Sequence, residues 1–245
     1  MNSDRVRPLP LLPALVLFGF PALLEYVAAW HLVPALDRAG FSPLLQFAAF
    51  ASPMVLILGA TFVFYRLEGN PWTWAAFGHR LRLGPVGRRL WAWSIGLAAA
   101  NVGLYIGATY GVDALFPAAP FPETVGKLLG DSQVFLGHPL KGAWWLLGAW
   151  FLFYLVNVVG EEFWWRGMLL PRQELAHGPR AWAVHGTLWA GFHLGFFPTD
   201  FIVLLPAALA YGWVCQRCKS TVPGLVAHGV LNGLAAIRIV AGILG

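Results

Sequence analysis

Two adjacent glutamates and an arginine stand inside an apolar run, Val159-Gly160-Glu161-Glu162-Phe163-Trp164-Trp165-Arg166-Gly167. A charged residue at the centre of a membrane helix costs at least ~2.5–3.5 kcal/mol, so each such group is a functional candidate. Glu162 and Arg166 are four residues apart and share a helix face, the spacing of an intrahelical ion pair. Glu161 lies about 100° around the helix from Glu162. Left without a cation, it is partly desolvated and suited to act as a general base. Further along, His193 closes the stretch Trp189-Ala190-Gly191-Phe192-His193, and His228 and Asn232 stand four apart in a third apolar run. An imidazole and an amide on one face can hold an oxygen atom on which negative charge develops. His185 reads as a satisfied core histidine. Glu25 and Arg238, at similar depth in the first and last apolar runs, are expected to pair in a structural role.

The elements that must position these groups follow from composition. The chain has 245 residues, 58% hydrophobic and 11% charged, against ~25% charged in a soluble domain. That excludes a soluble enzyme, a disordered chain and, with its basic residues scattered rather than clustered, a nucleic-acid-binding module. Runs free of Asp, Glu, Lys and Arg cover Ala39–Tyr65, Leu90–Val112, Gly142–Gly160, Ala181–Thr199, Phe201–Gln216 and Ser220–Ile237. With the run from Pro8 to Leu36, too long for a secretory signal, they predict an all-α, polytopic transmembrane bundle. About seven membrane helices are expected, with six to eight as the range, in a single integral membrane domain over residues 1–245. Behind Asn70-Pro71, a helix N-terminus signature, Trp72, Trp74, Phe77, Arg80 and Arg82 suggest an amphipathic helix on the membrane surface. Cys215 and Cys218 form a lone CxxC, a weak signal. The near-neutral loop over residues 113–142 suggests no role.

Alternate loops carry eleven and three Lys/Arg, which predicts a cytoplasmic N-terminus and an outer C-terminus. Counted from the cytoplasmic helix ends at 1.5 Å per residue, Glu161 lies about 14 Å deep, His193 about 18 Å, and His228 and Asn232 about 10 and 16 Å. Three helices would thus bring one site together in the cytoplasmic half. Gly160, Gly191, Gly195, Gly229 and Gly233 beside these groups would permit close helix approach.

Glu161-Glu162-x-x-x-Arg166, an aromatic-x-x-x-His (Trp189 to His193) and His228-x-x-x-Asn232, in that order, resemble the three motifs of the CAAX-processing and bacteriocin-processing (CPBP, or ABI) intramembrane endopeptidases. The resemblance covers a catalytic core of about residues 142–236; Trp189 replaces the usual Phe. It implies peptide-bond hydrolysis within the membrane, with Glu161 as general base and His193 helping to bind and activate the water. His228 and Asn232 would stabilise the tetrahedral oxyanion, and Glu162 and Arg166 would be the supporting pair. The implied substrate is a membrane-anchored protein or peptide: a CAAX-like C-terminus, a surface-protein sorting tag or a bacteriocin-type peptide. The implied setting is the bacterial inner (plasma) membrane. Zinc held by Glu161, His193 and His228 with an open fourth position is the alternative chemistry. The absence of an HExxH pair favours a cofactor-free site. Two other classes remain open, a proton-coupled transporter using Glu161, His193 and His228 as a relay and a non-catalytic member that binds membrane peptides. Ser52, Ser94 and Ser220 offer no nucleophile setting. The oligomeric state is not legible.

Overall fold

A computed structural model describes residues 6–115, 122–195 and 199–245; Arg5, one of the residues in the charge count, lies outside them. Helix α1 (Leu11–Val27) passes through a π-helical turn (Ala28–Leu32) into α2 (Val33–Arg38). Next come α3 (Pro43–Leu67), the short α4 (Trp74–Arg80) and α5 (Arg88–Leu115). Helix α6 (Glu123–Leu129) precedes the two-residue strands β1 (Val134–Phe135) and β2 (His138–Pro139), paired antiparallel. The second half runs α7 (Trp144–Glu162), a π-helix (Phe163–Leu169), α8 (Leu170–His177), α9 (Ala181–Phe192), a 3-10 turn (His193–Gly195), α10 (Asp200–Cys218) and α11 (Val222–Leu244).

Among the described residues, six helical segments are long and apolar enough to cross a bilayer, within the expected range of six to eight. The fourth and fifth charge-free runs fall in one helical stretch, Trp144–Gly195, as α7 and α9. Within it the chain turns at Gly178, whose φ of +57° suits a residue without a side chain, and α9 packs back on α8. Alone, α9 has 12 residues, about 18 Å, too short for a core of ~30 Å. The chain ends lie at opposite ends of the bundle. Leu9 N–H donates to Arg172 O beside α8, while Gly142 N–H, just before α7, donates to Ile243 O.

The surface helix α4 is present, but its cap is Thr73, whose Oγ1 accepts from Ala76 N–H at 3.2 Å. Asn70 and Pro71 instead close a turn onto Tyr65, through Asn70 Nδ2–H to Tyr65 O and Tyr65 O–H to Pro71 O. Trp72 and Trp74 are exposed and suit an interfacial anchor. Arg80 and Arg82 do not form a solvated face. Arg80 is buried, paired with Glu68 (2.5 and 2.7 Å) and donating to Gly167 O (2.8 Å) at the end of the π-helix. Arg82 makes a two-pronged bond to Glu174 (2.8 and 2.9 Å). Both arginines therefore fasten the surface segment to the elements that carry the glutamates. Arg172 joins Glu68 at 2.6 Å. Burial pushes the Glu68 carboxyl up, but its hydrogen bonds and charge contacts with Arg80 and Arg172 outweigh this and hold it below the usual carboxylate range.

The loop that suggested no role also has a place. Phe135, Leu136 and Leu140 are buried with Phe47, Phe50, Ile239 and Ile243 in an apolar cluster. A second cluster gathers Trp164, Trp165, Trp189 and Tyr211, and the site lies between the two.

Candidate active site

Helix α7 delivers Glu161 and Glu162 at its last turn, where the backbone widens into the π-helix that carries Trp165 and Arg166. Such π turns recur at functional sites. Glu162 is fully buried and accepts at Oε1 from Arg166 Nη1–H (2.9 Å) and His228 Nδ1–H (3.0 Å). The expected ion pair is formed, and His228 is its third member. Arg166 lies over the Trp189 ring, 3.8 Å from its centroid, and 4.8 Å from that of Tyr211. Among the described residues its Nε and Nη2 have no hydrogen-bond partner, so the aromatic faces provide their electrostatic contact. On the far side of Glu162 is Gly224: a Cβ there would fall well inside contact distance of Glu162 Oε2. Only glycine lets α11 close on the carboxylate.

Glu161 is less bare than a desolvated base would be. Asn157 Nδ2–H donates to Oε1 (2.9 Å), and the indoles of Trp165 and Trp189 donate to Oε2 (3.2 and 2.9 Å). A carboxylate has about four acceptor positions, so these three donors leave one, on Oε1. Asn157 Oδ1 in turn accepts from Asn232 Nδ2–H at 2.6 Å, and Asn232 Nδ2 lies 3.1 Å from His228 Nε2. Directions in this chain follow from its ends. The Glu162 carboxylate only accepts, so His228 carries its proton on Nδ1 and Nε2 accepts from Asn232. Both Asn232 N–H groups are therefore engaged in the resting site.

His193 donates Nδ1–H to Trp189 O (2.9 Å), which leaves Nε2 as an acceptor. Glu161, His193, His228 and Asn232 all line one cavity of about 600 Å³, with Phe47, Phe50 and Phe153 among its apolar wall residues. The six residues singled out in the sequence thus converge: four face the cavity, while Glu162 and Arg166 support them from behind. Of the five glycines, Gly160 and Gly229 meet close neighbours, Gly195 is pressed against α1, Gly233 makes only ordinary contact and Gly191 meets open space.

Sequence reasoning missed Asn157 and Trp165. Each is four residues from Glu161, the spacing that identified Glu162 and Arg166 as partners. The expected pair of Glu25 and Arg238 is not formed. Arg238 donates to the Gly130 and Leu129 carbonyls (3.1 and 3.0 Å), and among the described residues Glu25 Oε2 has no partner, although both residues line the cavity. Equal depth along two helices places two side chains at one height without turning them toward each other. His185 is fully buried, with Nδ1 2.6 Å from Gln173 Oε1. Cys215 and Cys218 are free thiols.

Among the described residues, no three His, Cys, Asp or Glu side chains are grouped to hold a metal ion. The donors proposed for zinc are turned to other partners: both His228 nitrogens are engaged, and Glu161 Oε2 already accepts two hydrogen bonds.

No curated protein and no solved structure matches the chain. A family model does: residues 143–234 match the Rce1-like family, described as type II CAAX prenyl endopeptidase Rce1-like. The matched segment holds the two glutamates, Arg166, both cavity histidines and Asn232, and over residues 143–234 the chain is similar to the CAAX-processing intramembrane endopeptidases.

Proposed function

We propose that this multi-pass membrane protein hydrolyses a peptide bond of a membrane-associated protein or peptide, using a water activated by Glu161 and His193 without a metal. The observation that carries this reading is the pair of acceptors left over in the cavity, one position on Glu161 Oε1 and one on His193 Nε2. A water donating to both presents its lone pair to a carbonyl carbon. On attack, the water proton passes to Glu161 and the carbonyl oxygen takes the negative charge. Collapse of the tetrahedral intermediate breaks the C–N bond, and Glu161 returns the proton to the leaving amine. The products are a carboxylate and an amine, and the base is regenerated.

Oxyanion stabilisation falls to Asn232, oriented by His228, whose Nε2 carries no proton at rest and accepts from the Asn232 amide. Because both Asn232 N–H groups are engaged at rest, one must be released as charge develops. Protonation of Glu161 supplies the trigger: a protonated carboxyl donates to Asn157 and removes the reason for Asn157 to hold its amide oxygen toward Asn232. Arg166 and Glu162 hold His228 in place throughout. The charge bias of the loops supports a site opening from the cytoplasmic half of a bacterial inner membrane. A CAAX-like C-terminus, a sorting tag or a bacteriocin-type peptide are substrates of matching chemistry, each a peptide tethered to the membrane.

The test is cleavage of lipid-anchored peptides by purified protein in nanodiscs, with and without a chelator. The proposal predicts cleavage that survives chelation and is lost in Glu161→Ala and His193→Ala. Loss on chelation with rescue by zinc would replace the metal-free reading, and cleavage at the wild-type rate by Glu161→Ala would overturn the mechanism.

A further inference from the structure

Glu25 lies outside the family match and outside the network just described. It sits 14 residues into α1, about 21 Å, and His193 lies 12 residues beyond the start of α9, about 18 Å. Both helices start beside α8, since Leu9 N–H bonds Arg172 O and α9 packs on α8. The two residues are therefore level. They are also held close, because Gly195 lets the His193–Gly195 turn press against α1: a Cβ at Gly195 would fall well inside contact distance of Ala22 O. Glu25 is three residues beyond Ala22, on the same helix face, and the π turn Ala28–Leu32 begins three residues after it.

The Glu25 side chain is 3% exposed and lines the cavity with Glu161 and His193. Among the described residues its Oε2 accepts from nothing and it enters no ion pair. The other acids of the cavity are Glu161, which already accepts from three donors, and Asp200 at the start of α10. Its arginine, Arg238, gives both terminal nitrogens to backbone carbonyls. Among the described residues this buried carboxyl has no cation and no donor on Oε2, which is costly in a bilayer, and an incoming cation would supply the missing partner. The aromatic walls of the cavity suit an organic cation. A lysine or arginine side chain can run its apolar stem along the aromatic walls and present its charge at the end.

We propose that Glu25 is a specificity residue that binds a basic side chain of the substrate beside the scissile bond, which makes the favoured substrate a membrane-anchored peptide carrying Lys or Arg there. This rests on the peptidase reading, but its test does not require turnover. In the Glu161→Gln background, binding of paired peptides is measured in nanodiscs by fluorescence anisotropy, the two differing only by Lys or Met at each position around the scissile bond. At one position the Lys peptide should bind at least about tenfold more tightly, as expected for a buried charge-assisted hydrogen bond. Adding Glu25→Gln should bring that ratio to within about twofold, and Glu25→Lys should shift preference to a Glu peptide, a gain that also reports a folded protein. No Lys preference at any position, a preference unchanged by Glu25→Gln, or an equal loss for both peptides would overturn the proposal. If the preference obeys these rules while protein bearing Glu161 cleaves nothing, the subsite stands and the hydrolase reading falls.

Discussion

Asn157→Ala separates the two carboxylates of the site. Asn157 donates to Glu161 Oε1 at 2.9 Å and accepts from Asn232 at 2.6 Å, so one substitution unties the base from the oxyanion pair. A hydrogen bond to a charged group is worth about 1.5–3 kcal/mol, and a neutral one about 1 kcal/mol. If the charged bond acts in positioning the base for transfer, kcat should fall about 10- to 100-fold, the range seen when a group that orients a reacting residue is removed. KM should stay within about threefold, because the cavity wall that receives the peptide is untouched. Asn157→Asp should do worse, since it places a second carboxylate against Glu161. The assay is single-turnover cleavage of a lipid-anchored fluorescent peptide in nanodiscs, with melting temperatures recorded in parallel. Wild-type kcat in Asn157→Ala, in a protein that melts normally, would refute the claim that this amide orients the base. A fall confined to KM would refute it equally.

Other parts of the structure make their own predictions. Arg166→Met leaves Glu162 buried without its cation and should cost about 3–5 kcal/mol of stability, read as loss of folded protein or a large drop in melting temperature; a change of under one degree would contradict the paired arrangement. Gly224→Ala drives a methyl into Glu162 Oε2 and should cost about 1–3 kcal/mol, with activity falling as His228 is displaced; unchanged activity and melting would show that α11 has room there. The Glu68 carboxyl is held below its ordinary range despite burial, through Arg80 and Arg172. The stability it contributes is therefore complete above the unfolded glutamate value of about 4.3 and lost as pH falls through the folded value. The melting-temperature gap between wild type and Glu68→Gln should be widest near neutrality and close below about pH 4; a gap constant across that range would refute the assignment.

Much of the site was legible in the sequence for a single reason: charge and imidazole are rare in membrane helices, so Glu161, Glu162, Arg166, His193, His228 and Asn232 stand out from an apolar background. Spacing carried the rest of that reading, because an i, i+4 pair on a helix needs no tertiary information. The same rule would have found Asn157 and Trp165, but an asparagine or tryptophan in an aromatic-rich membrane helix does not stand out. Arg80 was misread because its partners, Glu68 and Gly167 O, lie 12 and 87 residues away, and a helix of seven residues shows too little of its period to reveal an inward side. Glu25 and Arg238 were paired by depth alone, which says nothing of azimuth; Arg238 instead found the Leu129 and Gly130 carbonyls at the end of α6. The span count was legible to within its range of six to eight, because hydropathy measures what can enter a bilayer; it does not show where the chain turns, as it does at Gly178 between the fourth and fifth runs. The loop at residues 122–142 was opaque since its order comes from contacts of Phe135, Leu136 and Leu140 with distant helices.

The central claim is that Glu161 takes a proton from the attacking water. Its most direct measurement is the single-turnover cleavage rate of Glu161→Gln against wild type, with peptide affinity measured on the same preparations. Glutamine keeps the shape and the apolar contacts but cannot accept that proton. The account predicts unchanged folding, peptide affinity within a few fold, and a rate lower by about 10²-fold or more, as expected on removing a general base. Cleavage at a rate within tenfold of wild type by a correctly folded Glu161→Gln would contradict it.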